Sequence, residues 1–270
     1  MSENPAYFVK SVAKAFDVLL AFSLENPRMT VSQIASQVDI TRASARRFLL
    51  TLADLGYLRA DGPYFELAPR SLDVGQSFLA NLALPKIAEP HLKSLAAELN
   101  ETTSLCILDG TDVVYVACVP SPRLLSISIT VGTRFPAWAT SMGRVLLGGL
   151  SEGQLEHYFD SVQLQRFTER SVGSLAELRT EIALSRTKGW SMVSQELEEG
   201  LRGVAVPVRR GNDIVAAVNV SLQSHRATTD EVEKTVVPLL QEAAYQIGRD
   251  YGGRPPNPGM KPSAFPNQPR

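Results

Sequence analysis

The sequence predicts an α+β chain in two folded parts: a small helical part closed by a hairpin, then a larger part built on a mostly antiparallel sheet. Three observations predict it. Apolar residues recur at three- and four-residue steps through the first fifth of the chain, the period of a helix face. From residue 103 the period shifts toward two, with runs of extended-type residues about Gly- and Asp-containing turns. The length, 270 residues, corresponds to about two domains at roughly 150 residues each.

Each element follows in order. Val9, Val12, Ala13, Phe16, Leu19 and Leu20 line one face of a first helix, which ends near Asn26-Pro27. Thr30 and Gln33 have the spacing of a capping box, in which a hydroxyl and a side-chain amide satisfy each other's backbone N–H. The second helix is short, with Ile34, Ala35 and Val38 as its apolar stripe. After a turn at Asp39-Ile40, Thr41 caps a third helix backed by Ala45, Phe48, Leu49, Leu52 and Leu55. Gly56 stops it. Residues 57–59 and 64–67 make a hairpin about Asp61-Gly62. Leu72, Val74, Phe78, Leu79 and Leu82 suggest a connecting helix broken at Pro85, and 88–99 a further helix. Strands are expected at 103–108, 113–119, 124–131, 204–208 and 214–222, and helices at 140–150, 154–159, 175–188 and 229–249. Residues 254–270 hold six prolines and no periodicity, the composition of a disordered tail.

Composition excludes several classes. Lys+Arg 27 against Asp+Glu 28 leaves no basic coat, and no run of about 18 apolar residues suits a membrane span. The N-terminus has no signal-peptide pattern. Cys106 and Cys118, twelve apart, form neither a disulfide framework nor a zinc pattern, so a cytoplasmic chain with reduced thiols, no metal and no cofactor is expected. His91, His157 and His225 lie in no metal or triad spacing, and no Gly-rich phosphate loop occurs. Glu196, Glu198 and Glu199 read as a solvated turn rather than an acid–base pair. An enzyme is therefore the weaker reading, kept as a small-molecule enzyme carrying an N-terminal interaction module.

The third helix carries the chemistry of the first part. At 100° per residue its apolar back lies opposite Arg42, Ala43, Arg46 and Arg47. A short capped helix, a tight turn and a helix with a buried back and an arginine front suit a recognition helix in the DNA major groove. Arginine offers a planar fork of donors for guanine or phosphate. From Thr41 to Arg59 there are four arginines and one acid, Asp54, a local surplus that the whole-chain charge hides. The hairpin reads as a wing, with Arg59 and Tyr64 near backbone phosphates. Candidate DNA contacts are Thr41, Arg42, Ala43, Ser44, Arg46, Arg47 and Arg59. Two other readings stand beside this one: a plain solvated helix face, and a helix-turn-helix used for protein contacts.

Four segments, 9–22, 29–58, 131–147 and 196–208, carry a resemblance to the IclR-type bacterial transcription regulators. The GTR-P and SMGR-LL runs of 132–147 are its most specific part. The resemblance covers about residues 8–250. It implies a winged helix-turn-helix at 8–68, a linker helix at 69–84, a GAF-like effector-binding domain at 85–250, and homodimers, in the family often paired into tetramers, on palindromic or repeated operators. The tail, 251–270, departs from the family pattern. Within the family the chain is most similar to regulators of protocatechuate, p-hydroxybenzoate and β-ketoadipate catabolism. That implies double-stranded operator DNA and a small, aromatic carboxylate effector as partners. An aliphatic acid such as glyoxylate or pyruvate is the alternative.

The family's ligand-contacting positions map onto Ser141, Met142, Gly143, Leu201, Gly203, Asn219 and Ser221. Residues 140–143 open a helix, whose free N–H groups suit a carboxylate. Gly143 admits close approach to that backbone. Trp138 and Met142 are suited to cover a ring. Asn219 and Ser221, two apart on a strand, share a face. Arg134, Arg144 and Arg202 are candidate carboxylate clamps, with one of them expected at the pocket. Each has a plainer role open to it: Ser141 as a cap, Trp138 and Met142 as core, Arg134 at a subunit interface, Arg202 paired with Glu198 or Glu199, Leu201 and Gly203 as packing and turn residues.

Overall fold

The computed structural model describes residues 5–121 and 129–252. Most of the strand expected at 124–131 and nearly all of the expected tail lie outside the described residues. The described chain divides between Asn81 and Leu82 into two compact units.

The first unit contains α1 (Lys10–Leu20), β1 (Arg28–Thr30), α2 (Val31–Gln37), α3 (Arg42–Asp54), β2 (Leu58–Asp61), β3 (Tyr64–Leu67), a 3-10 turn and α4 (Leu72–Asn81). The capping box of Thr30 and Gln33 starts α2, and the Thr41 hydroxyl accepts the Ser44 N–H to start α3. Between them Asp39 adopts a left-handed conformation, φ 52°, which a short polar side chain tolerates. The antiparallel sheet has the order β1-β3-β2. Strand β1, only three residues long, is too short for alternation to reveal it. Val18, Ile34, Ala45 and Leu49 form the centre of the core, with Leu52, Leu58 and Phe65 around them.

The first helix departs from expectation. Its anticipated inner stripe is largely outside: Val12 is 53%, Phe16 54% and Leu20 78% exposed, and the helix buries Val18 instead. Val18 lies on the opposite side of the helix from that stripe at 100° per residue. The helix is apolar on two sides, and periodicity cannot say which side meets the core. Helix α4 likewise has no buried residue, and Leu72, Val74 and Phe78 are exposed.

The second unit contains α5 (Ala83–Leu99), β4 (Thr102–Asp109), β5 (Asp112–Val119), β6 (Arg134–Pro136), a 3-10 turn (Ala137–Ala139) and α6 (Ser141–Leu147). There follow α7 (Glu152–Ser161), α8 (Leu175–Lys188), β7 (Ser191–Ser194), β8 (Leu201–Arg210) and β9 (Asp213–Gln223). The last helix runs from α9 (Thr229–Glu231) through a π-type turn into α10 (Val237–Gly252). Pro85 does not end a helix, as expected, but sits in the first turn of α5, where its missing N–H has no helical acceptor to lose. The break falls at Leu82, which is extended.

The sheet is antiparallel throughout, in the order β6-β5-β4-β9-β8-β7. Both of its faces are covered. Alternate residues Val204, Val206, Val208, Val218 and Val220 pack with Leu92, Leu95, Leu240 and Ile247 of α5 and α10. The intervening Cys106, Tyr115, Ala205 and Ala217 pack with Trp138, Met142 and Leu146 on the α6 side. Helix α6 is buried at every one of its seven residues.

Candidate functional site

The DNA-facing candidates divide by what holds them. Arg42, Ala43, Arg46 and Arg47 stand exposed on α3 while Ala45 and Leu49 bury its back. No ion pair engages those three arginines among the described residues. Thr41 and Ser44 are joined to each other at the cap, hydroxyl to hydroxyl at 3.0 Å. Arg59 is different. It donates twice to Glu66, from Nε at 2.8 Å and Nη2 at 2.5 Å, directly across the β2–β3 ladder. Arg28 pairs with Asp61 and lies over the Tyr64 ring, 5.2 Å from its centroid. Two arginines and two carboxylates therefore balance on the wing. The uncompensated positive charge sits on α3.

The effector candidates converge only in part. Ser141, at the start of α6, faces Gly203 of β8 and Asn219 of β9: a Cβ added at Gly203 would stand 2.9 Å from the Ser141 hydroxyl and 3.5 Å from the Asn219 amide nitrogen. Ser141 is 1% exposed, and its hydroxyl has no hydrogen-bond partner among the described residues. Its predicted role as a cap falls to Thr140, whose hydroxyl accepts the Gly143 N–H at 3.1 Å. Asn219 and Ser221 share that sheet face; the Ser221 hydroxyl donates to Asn219 Oδ1 at 3.1 Å, and Asn219 Nδ2 donates to the Val204 and Val220 carbonyls. Leu201 lies two residues before Gly203, on the same face. Met142 accepts a long contact from the Tyr115 hydroxyl, 3.7 Å. Trp138 is buried and stacks on Phe167, centroids 5.5 Å apart and planes 16° apart.

Two candidates take other roles. A Cβ on Gly143 would stand 1.9 Å from the Ala137 carbonyl oxygen. Its lack of a side chain lets α6 close on the preceding turn. Arg134 is 46% exposed in its side chain and bonds Asp109 at 2.8 Å and Asp112 at 3.3 Å. Asp109 is five residues along β4 from Ser104, the rung beside Asn219, about 17 Å at the rise of a strand. Arg134 therefore braces the β4–β5 turn and does not reach Ser141. The other two arginines are also engaged. Arg144 is buried against Glu196, Nη2 to Oε2 2.6 Å, and Arg202 donates to Ser194 and to the Ala227 carbonyl rather than to Glu198 or Glu199. Glu196 is thus no solvated turn residue. Burial raises its carboxyl pKa, opposed by the Arg144 guanidinium.

Residues 11–62 match the IclR helix-turn-helix domain, and residues 76–249 match the bacterial transcriptional regulator IclR C-terminal domain. The chain belongs to the IclR family. It is 36% identical over 242 residues to the Pca regulon regulatory protein of Pseudomonas putida, spanning 89% of this chain and 83% of that one. It is 32% identical over 246 residues to the p-hydroxybenzoate hydroxylase transcriptional activator of Acinetobacter baylyi, spanning 89% and 91%. A crystallographic chain from Rhodococcus sp. RHA1 superposes with a TM-score of 0.79 at 44% identity, covering 90% of this chain and 98% of that one.

As an IclR-family chain it is a transcriptional regulator whose first unit is a DNA-binding helix-turn-helix. None of its described helices is long and apolar enough to cross a membrane. The sequence reading missed part of the surroundings of Ser141. Ser104 and Cys106 share the sheet face of Asn219, and Cys118 lies opposite Ser104. The Ser104 hydroxyl is 3.5 Å from the Cys118 sulfur, which lies 3.2 Å from the Ile129 carbonyl. Burial raises the Cys106 thiol pKa, keeping it protonated and apolar. The missed signal was a serine and a cysteine at alternate positions among the buried residues of β4.

Proposed function

We propose that this chain regulates genes of aromatic-acid catabolism, binding operator DNA through α3 and a small hydroxylated aromatic carboxylate against the α6 side of its sheet. The carrying observation is the buried, unpartnered Ser141 hydroxyl facing Gly203 and Asn219. A buried hydroxyl without a partner costs free energy that a ligand's polar group would recover. Trp138, Met142 and Tyr115 close by supply flat and polarisable surface for a ring. The relatives named above, regulators of pca genes and of p-hydroxybenzoate hydroxylase, support the aromatic class. With Arg134, Arg144 and Arg202 engaged elsewhere, neutral donors around Ser141 would hold the carboxylate.

The exposed stripe Val12, Phe16 and Leu20 on α1 supports self-association of the first unit, as exposed apolar surface along one helix face marks partner sites. Two first units joined there would present two recognition helices to successive major grooves. The segment 69–84 would link the effector domain, 85–250, to the DNA-binding domain, 8–68, in the cytoplasm. The effector must bind one arrangement of the dimer more tightly than the other, since equal affinity shifts nothing.

Thermal unfolding with protocatechuate, p-hydroxybenzoate, β-ketoadipate, glyoxylate and pyruvate tests this reading. A ligand at about 100 times its Kd stabilises the binding state by about 2.7 kcal/mol, a shift of several degrees for a domain of this size. A shift with an aromatic acid supports the proposal. A shift with glyoxylate or pyruvate alone overturns the aromatic class while keeping the family.

A further inference from the structure

Glu196 joins two separate pieces of the second unit, α6 and the segment 168–172. Its carboxylate holds Arg144 of α6 at 2.6 Å and accepts the Val172 N–H at 3.4 Å. Its carbonyl oxygen accepts the Ser171 hydroxyl at 2.7 Å and the Thr168 hydroxyl at 3.3 Å. Arg144 in turn donates from Nε to the Trp138 carbonyl at 3.3 Å and lies 3.5 Å from Glu181 of α8. Phe167, whose N–H donates to the Ser171 hydroxyl, stacks on the Trp138 ring. The contacts close a ring: Glu196 to Arg144, to Trp138, to Phe167, to Ser171 and back to Glu196.

An ordinary salt bridge in a protein interior gains little over an apolar pair, because desolvation consumes the attraction. This one spans 52 residues of sequence and fixes a side chain at both ends, carbonyl and ring. Arg144 is also three residues past Ser141, on the same side of α6. Resting on the effector reading above, we propose that Arg144 and Glu196 are positioning residues for the effector site. Neither touches the ligand; together they hold Trp138 and the first turn of α6 in the arrangement that accepts it. Affinity then depends on a pair outside the site, since side chains that are not held lose preorganisation.

The test uses the full chain with Trp190→Phe as parent, because Trp138 and Trp190 are its two tryptophans. Trp138 fluorescence, its quenching by acrylamide, and calorimetric titration with p-hydroxybenzoate and protocatechuate are compared in the parent and in Glu196→Gln. Ser171→Ala, which removes a neutral link of the same ring and leaves the charges in place, carries the test if Glu196→Gln does not fold. The expected result is greater quenching of Trp138 in ligand-free protein and effector binding weakened about tenfold, the upper scale for a side chain that must be ordered on binding. Unchanged quenching in both variants overturns the ring. Increased quenching with unchanged affinity overturns the positioning role and leaves the effector reading intact. A parent that binds neither acid overturns the effector reading itself, and the positioning role with it, whatever the quenching shows; a parent that binds and a variant that binds equally well overturn the positioning role alone.

Discussion

Gly143→Ala is expected to unfold the second unit at lower temperature rather than cleanly remove ligand response. A methyl at this position would stand 1.9 Å from the Ala137 carbonyl oxygen and 2.4 Å from the Ala137 carbonyl carbon and Cα. All three are backbone atoms, so no side-chain rotation relieves them. The 3-10 turn and α6 must separate by more than an ångström, and every residue of α6 is buried. Overpacking of a core costs about 1–3 kcal/mol, more where backbone moves, and the upper end applies here. At roughly 2–4 °C per kcal/mol for a domain of this size, about 3 kcal/mol lowers the melting temperature by roughly 6–12 °C. Calorimetry of the full chain measures it, with Gly203→Ala as the control. There the added methyl crowds only a side chain, the Ser141 hydroxyl at 2.9 Å, and is in ordinary contact with the Asn219 amide at 3.5 Å, so a cost of about 1 kcal/mol is expected, together with loss of effector affinity. A Gly143→Ala protein melting within about 2 °C of the parent would refute the close approach of α6 to the turn.

Three other outcomes follow from the same geometry. Ser141→Ala removes a buried hydroxyl that has no partner; thermal stability should hold or rise by up to about 1 kcal/mol, while effector titration weakens, and a marked loss of stability would mean the hydroxyl is bonded in solution. Arg46→Ala removes an exposed, unpaired arginine from α3; operator affinity should fall by about 1–3 kcal/mol, roughly 5- to 150-fold, with folding unaltered, and unchanged affinity would move the interface off this helix face. Phe16→Glu places a charge in the exposed α1 stripe; sedimentation should show dissociation toward monomer with the first unit still folded, and an unaltered oligomer would put the subunit contact elsewhere.

The elements that were legible beforehand are those governed by near neighbours. Thr30 with Gln33 and Thr41 with Ser44 lie within one helical turn, so spacing alone defines the caps. The arginine front of α3 follows from the 3.6-residue period, and alternation at 214–222 orders the two sheet faces. The sheet partners of short β1, β6 and β7 were not legible, since three or four residues hold too little pattern.

What the amino-acid sequence determined by itself was therefore the type of each long element, the outward charge of α3 and, through its motifs, the family. Tertiary structure alone decided the pairings: that α1 turns Val18 inward and Phe16 outward, that Gly143 meets Ala137, that Arg134 joins Asp109 while Arg144 joins Glu196, and that Ser141 is left without a partner beside Asn219. The reason is range. Caps and periodicity arise from contacts within about four residues, whereas a buried charge or hydroxyl takes its role from groups tens of residues away, which come within reach only when the sheet and α6 close on each other.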